Sequence, residues 1–145
     1  MIRPLLSSDR DAWLQLWLGY QAFYEVQIAP AVTEITWSRL FDAAEPMHCA
    51  VAEEDGAVVG IVHYIFHRST WTEGDYCYLQ DLFVSPDVRG RGCGRQLIEH
   101  VYAQAQAQQA ARVYWLTHES NQQAMVLYDK VAKRSGFIQY RHVLG

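Results

Sequence analysis

Hydrophobic positions recur along this chain with two different periods, and the changes of period divide it into elements. Trp13, Trp17, Tyr20 and Tyr24 return every three or four residues behind the cap-forming side chains of Ser7, Ser8 and Asp9, which predicts a helix over residues 9–25. Pro30 interrupts it, and residues 33–41 form a second, short helical pattern. The period then shortens. Residues 48–54 alternate and are rich in small or β-branched types, Glu54-Asp55-Gly56 is a turn signal, and residues 58–67 form a second strand, so the two make a hairpin. Residues 70–75 are a polar loop and residues 76–84 a third strand, stopped at Ser85-Pro86-Asp87 because proline cannot continue a ladder. Beyond a glycine-rich turn, Leu97, Ile98, Val101, Tyr102 and Ala105 share one face of a helix over residues 92–108. Residues 112–117 predict a strand, residues 122–135 a helix with Gly136 as its C-cap, and residues 137–143 a last strand. Strands interleaved with helices imply a layered α/β or α+β domain.

Composition narrows the class. At 145 residues, half of them hydrophobic and 19% charged, the chain fits one domain with a sizeable core and lacks the signature of disorder. No uncharged stretch approaches the roughly 20 apolar residues of a membrane span, and Met1-Ile2-Arg3-Pro4 opens no apolar leader, so the expectation is a soluble cytoplasmic protein without a membrane partner. Cys49, Cys77 and Cys93 are odd in number and contain no C-x-x-C pair, which fits a reduced compartment and offers no cysteine zinc site. His63 and His67 share a strand face with no third ligand at metal-site spacing, so no metal is expected. The net charge of −4 hides an asymmetry: residues 1–88 hold 13 acids and 4 bases, residues 89–145 hold 3 acids and 8 bases.

The strongest chemical feature is the run after the third strand, in which Arg89, Gly90, Arg91, Gly92, Cys93, Gly94 and Arg95 open a helix. A helix N-terminus presents unpaired amides and about half a positive charge, glycines let a phosphate approach, and arginines seek it. The same residues also suit a tight turn with solvated arginines. A Walker loop is excluded by the missing lysine, and Gly90, Gly92 and Gly94 run G-x-G-x-G where a dinucleotide fingerprint needs G-x-G-x-x-G. Cys93 between glycines is read as a small tolerated residue rather than a nucleophile.

Arg89-x-x-Gly92-x-Gly94 after a strand resembles the pyrophosphate-binding motif of the GNAT N-acetyltransferases. Asn121 to Tyr128 followed by Gly136-Phe137 resembles the downstream block of the same family, in the same order. Trp13 to Tyr24, Ser69-Thr70-Trp71, Tyr78 to Val84 and Tyr114 to Asn121 further resemble the branch containing the yeast histone/polyamine and the spermidine/spermine acetyltransferases. The resemblance implies a mixed, twisted sheet with two neighbouring strands splayed apart and flanked by helices, with acetyl-CoA as cosubstrate. It implies that backbone groups of Leu82, Phe83 and Val84 hold the pantetheine and acetyl carbonyl, that the Arg89 to Arg95 loop holds the pyrophosphate, and that Asn121 supports the CoA arm.

Amine acetylation needs a neutral amine, a polarised thioester carbonyl and a proton for the leaving thiolate. By resemblance Tyr128 is the general acid. The base is left open: Gln80 stands where the spermidine/spermine enzymes carry a glutamate, and an amide cannot take a proton at neutral pH. Asp81 ranks first, with Glu25, His118 or Glu119 acting through water, or no dedicated base, as the alternatives. Phe23, Tyr24 and Glu25 are placed near the acceptor pocket. The acidic half draws a cationic acceptor, so a small or flexible primary amine is expected: a polyamine, an amino acid or a lysine-like side chain. A non-catalytic acyl-CoA-binding domain is the competing reading. Nucleic acid is disfavoured by a pI of 5.8, and a homodimer paired through residues 137–143 or through sheet edges is expected.

Overall fold

A computed structural model describes residues 1–145. Five strands run β1 (Ile2–Pro4), β2 (Met47–Glu54), β3 (Ala57–His67), β4 (Tyr76–Val84) and β5 (Arg112–Tyr114), and they lie side by side in that order. The first four are joined antiparallel, whereas β4 and β5 are parallel and are connected by a helical crossover. Helices α1 (Arg10–Phe23) and α2 (Pro30–Leu40) lie on one face, and α3 (Cys93–Ala107) and α4 (Gln122–Val131) on the other. No helix is long and apolar enough to cross a membrane.

Strand alternation supplies two cores. Cys49 and Val51 of β2 and Ile61 of β3 meet Trp13, Leu16 and Trp17 of α1, while Ala50, Ala52, Val62 and Tyr64 meet Leu97, Ile98 and Val101 of α3. In β4 this parity breaks. His63 pairs with Asp81 but Tyr64 with Leu79, so Gln80 is an extra residue bulged out of the ladder. Cys77 and Leu79 therefore face α3, and Phe83, an even number of residues further on, faces α1.

The predicted hairpin, third strand and central helix are present. One element was missed and four expectations need correction. β1 was not foreseen; its three residues carry no alternation, and it is fixed by pairing with β2 and by Arg3, which holds Asp9 at 2.8 Å and Glu53 at 3.1 Å. Asp9 does not cap an amide of α1: its carboxylate accepts from Leu6 N–H at 2.7 Å and from Arg3. Strand β5 stops at Tyr114 rather than residue 117, because beyond that point β4 no longer pairs with it. The last helix ends at Val131, with Ala132 extended, so Gly136 is not its cap. Residues 137–143 form no strand: they pair with none of the five strands, and Phe137, Ile138, Tyr140 and Val143 are between 76% and 90% exposed.

One close approach fixes the parallel pair. Asp75 accepts the amide of Ala111 at 2.7 Å, and next to it a Cβ on Gly74 would stand 2.4 Å from the carbonyl oxygen of Gln109. Replacing Gly74 by alanine must push the loop before β4 away from the connection between α3 and β5. The expected loss for Gly74→Ala is about 1–3 kcal/mol, read as a lower urea midpoint at unchanged m-value; an unchanged midpoint would show that this contact yields freely.

Candidate active site

The gap between β4 and β5 builds the site. The strands share three pairs, Tyr76 with Arg112, Cys77 with Val113 and Tyr78 with Tyr114, and then part. From Leu79 onward the outer edge of β4 has no strand partner, and a cleft of about 510 Å³ opens beside it. Leu82, Phe83 and Val84 form one wall, Asn121 and Tyr128 of the α4 segment form the other, and Phe23 and Tyr24 close one end. Arg89, Gly90, Gly92, Cys93, Gly94 and Arg95 line the mouth. Arg91 does not: it turns out to Glu54 at 3.4 Å.

The mouth is a cradle of unused donors. Gly90 and Gly92 hold φ of 87° and 82°, which folds the loop so that α3 starts directly behind it. The amides of Gly90 through Arg95 donate to no protein acceptor, and nothing stands within 4 Å of a Cβ built on Gly90 or Gly92. The first turn of α3 therefore offers its unpaired N–H groups and dipole to open space, which suits an anion. Arg89 is set by its Nε donating to the Val84 carbonyl at 3.2 Å and by its guanidinium lying over Phe23 and Phe83. Arg95 reaches Glu99 one turn on. Lys130, which the sequence reading missed, adds a cation to the lining.

Inside the cleft, Tyr128 packs edge-on against Trp115 at 5.4 Å. Burial, with a smaller contribution from Tyr24, pushes its pKa up to about 12, so the phenol keeps its proton throughout the neutral range. Asn121 is held by its Nδ2 donating to Thr117 Oγ1 at 3.3 Å. Tyr24 has its own pKa raised, by burial first and then by the charge of Asp81.

Asp81 does not line this cleft. The Gln80 bulge turns it toward α1, where it is buried and accepts a hydrogen bond from Nδ1 of His63 at 3.0 Å. Tyr20 faces it, and burial together with the Asp81 charge drives the Tyr20 pKa well above its ordinary value. Gln80 itself is exposed, as are Glu25, His118 and Glu119, none of which lines the cleft. His118 is engaged with Ser120. The two histidines of β3 have separate partners: His67 pairs through Nε2 with the Tyr114 hydroxyl at 2.7 Å, His63 with Asp81 and Trp13. No signal in the sequence tied His63 to Asp81, because that contact depends on the bulge.

The family model for the acetyltransferase (GNAT) family matches residues 11–132. The chain belongs to that family. It is an N-acetyltransferase, a family that uses acetyl-CoA, and the acceptor of its acetyl group is an amine. It is 34% identical over 143 residues to the D-amino-acid N-acetyltransferase HPA3 of Saccharomyces cerevisiae, covering 97% of this chain and 89% of that protein. It is 35% identical over 89 residues to the thialysine N-epsilon-acetyltransferase of Bos taurus, covering 56% of this chain and 52% of the relative. Crystal structures of a ribosomal-protein-alanine N-acetyltransferase from Brucella melitensis biovar Abortus 2308 and of a probable acetyltransferase share the fold. Their TM-scores are 0.81 and 0.87 at 18% identity, with 99% and 100% of this chain covered and 99% and 98% of theirs.

The N-acetyltransferase cleft fits an elongated ligand with an anionic segment at the open cradle and an apolar arm along β4. Gly92→Val should weaken CoA binding at least about tenfold, since a β-branched residue resists φ near 82° and would displace the amides. Calorimetry with CoA measures this directly, and an unchanged dissociation constant would show that the loop does not hold the pyrophosphate.

Proposed function

We propose that this N-acetyltransferase carries the acetyl group of acetyl-CoA to the primary amine of a small cationic acceptor, an amino acid, a polyamine or a lysine-like side chain, with both substrates bound together. Acetyl-CoA supplies the activated acyl group. The observation that carries the reading is the shared cleft, with six unused amides at its mouth and a proton-bearing phenol at its wall. In this reading the Gly90 to Arg95 amides, Arg89 and Arg95 hold the pyrophosphate, with Arg91 contributing only long-range charge. Leu82, Phe83 and Val84 hold the pantetheine and the acetyl carbonyl, and Asn121 supports the arm. Tyr128 gives its hydrogen to the departing sulfur.

The acceptor arrives as an ammonium ion and must lose a proton before it can attack. Two carboxylates are buried in the chain, Asp9 and Asp81. Arg3 neutralises Asp9, whereas the partners of Asp81 are a histidine and a phenol. In this reading Asp81, which stands behind the cleft lining, draws the ammonium through its uncompensated negative charge, and the amine gives up its proton to water before it attacks. The names of the yeast and bovine relatives, one acting on D-amino acids and one on thialysine, support an amino-acid acceptor.

Acceptor-dependent release of free CoA thiol tests the proposal, run with polyamines, L- and D-amino acids and lysine-rich peptides at low salt. Release is expected with one class of cationic primary amine, and Tyr128→Phe should lower kcat at least about tenfold with CoA affinity nearly unchanged. Binding of CoA without release from any of these amines would overturn the acceptor reading, and equal turnover would remove Tyr128 as the acid.

Two further parts of the reading concern the chain's surroundings. The apolar tail at residues 137–143 is supported as a pairing element between two copies by its exposure, because side chains such as Phe137, Ile138 and Tyr140 are normally covered. Sedimentation of the full chain should give a dimer, and deletion of residues 137–145 a monomer; a monomeric full chain would end that part of the proposal. A cytoplasmic setting is supported by the three free thiols, Cys49, Cys77 and Cys93.

A further inference from the structure

Trp13, His63 and Asp81 form a buried line of polar atoms whose roles are fixed at one end. An indole N–H can only donate, and Nε1 of Trp13 lies 3.0 Å from Nε2 of His63. Nε2 therefore carries a lone pair, the single ring proton sits on Nδ1, and Nδ1 donates to Oδ2 of Asp81. A second proton on Nε2 would set two N–H groups against each other with no water to relieve them, because Trp13 is 1% and His63 4% exposed. Packing holds the indole in place: Trp37 lies against it at 5.1 Å, and Trp17 meets the imidazole edge-on at 5.0 Å.

We propose that Trp13 is a positioning residue that locks His63 as the neutral Nδ1–H tautomer, so that Asp81 is oriented by a hydrogen bond yet remains an uncompensated anion for the acceptor ammonium. This rests on the reading of Asp81 given above. An imidazolium in the same place would pair with Asp81 and cancel the charge that draws the amine. The other titratable groups facing the pair are Tyr20 from α1, Tyr24 just past its end, Tyr78 from β4 and Cys49 from β2. Burial raises the pKa of each and keeps it neutral, and the charge of Arg141 bears on Tyr78 from the C-terminal segment. The lock thus acts on the one group of this cluster that can carry a positive charge beside Asp81.

The test uses ¹⁵N NMR of the histidine rings in the full-length, ligand-free protein, with the His63 signal assigned by its loss in His63→Gln. In the wild type His63 should show a protonated Nδ1 and a bare Nε2 unchanged from about pH 5 to 8. In Trp13→Phe, which keeps an aromatic ring and removes the donor, His63 should take up a second proton as the pH falls. The acid limb of its kcat/KM profile for the amine should move up by about one pH unit or more relative to its own plateau. His63→Gln can donate to Asp81, accept from Trp13 and carry no charge, so its acid limb should stay at the wild-type position whatever its rate. A wild-type His63 that titrates in this range or carries its proton on Nε2 overturns the proposal, as does a Trp13→Phe enzyme whose acid limb does not move. Should Trp13→Phe fail to fold, the wild-type spectrum and the His63→Gln profile decide. Should the wild type acetylate no amine, the function reading fails, while the NMR arm still decides whether the lock exists.

Discussion

Strand β4 is held along its whole length on one side and for three residues on the other, and the rest of the site follows from that inequality. A parallel neighbour can be reached only by a crossover, here α3, which must begin where β4 ends and lie back across the sheet. The loop that turns the chain through Gly90 and Gly92 therefore delivers the N-terminus of α3 to the mouth of the gap. The same parting leaves the edge of β4 unpaired and gives α4 room to bring Tyr128 to the opposite wall. The open cradle of amides, the unpaired edge of β4 and the place of Tyr128 are thus three consequences of one short pairing. The close approach of Gly74 to the Gln109 carbonyl helps keep that pairing in register at its closed end.

A second constraint sets the acceptor side. Without the extra residue at Gln80, strand parity would leave Asp81 on the α3 face, among Leu79, Cys77 and Val101, where a carboxylate has no partner. The bulge moves it by one face and places it opposite His63, whose own position between Ile61 and Tyr64 points it at α1. The aromatic stripe of α1 then does two jobs. Trp13 and Trp17 fill the core, the Trp13 indole N–H donates to His63, the Trp17 ring packs edge-on against the imidazole, and Tyr20 faces Asp81. A single inserted residue thus sets a buried His63–Asp81 pair against the helix that packs on this face.

Much of this was legible in the chain. The change from helical to alternating period located β2, β3, β4 and α3, and the arginine-glycine run together with Asn121 and Tyr128 identified the family and the residues that line the cleft. What escaped had physical reasons. Strand β1 is too short to show a period and exists through its partners. Residues 137–143 carry apolar and aromatic side chains that suit a strand, but a strand exists only where it pairs, and the segment itself does not say whether it does. The His63–Asp81–Trp13 line depends on a bulge, and a bulge shifts the faces without changing a single residue type. Cysteine and arginine spacing were equally silent on Arg91, which the motif placed at the phosphate and Glu54 draws away.

The elevated pKa of Tyr128 bears on how it can serve as an acid. A phenol at about 12 facing a thiol of ordinary pKa near 8.5 would give up its proton against a gradient of roughly 5 kcal/mol. The dominant cause of the elevation is burial, and burial raises the pKa of a thiol for the same reason, by withholding water from the anion. A sulfur lying in the cleft beside Tyr128 is subject to the same desolvation, so the two groups rise together and the gradient between them narrows. The burial that makes the phenol a poor acid toward bulk water leaves it better matched to a partner buried beside it. A tyrosine at the solvent-exposed mouth, near the arginines, would hold its ordinary pKa yet face a thiolate already stabilised by water and positive charge, with little need of a proton. An acid in the proposed role therefore belongs on the buried wall, where α4 puts Tyr128.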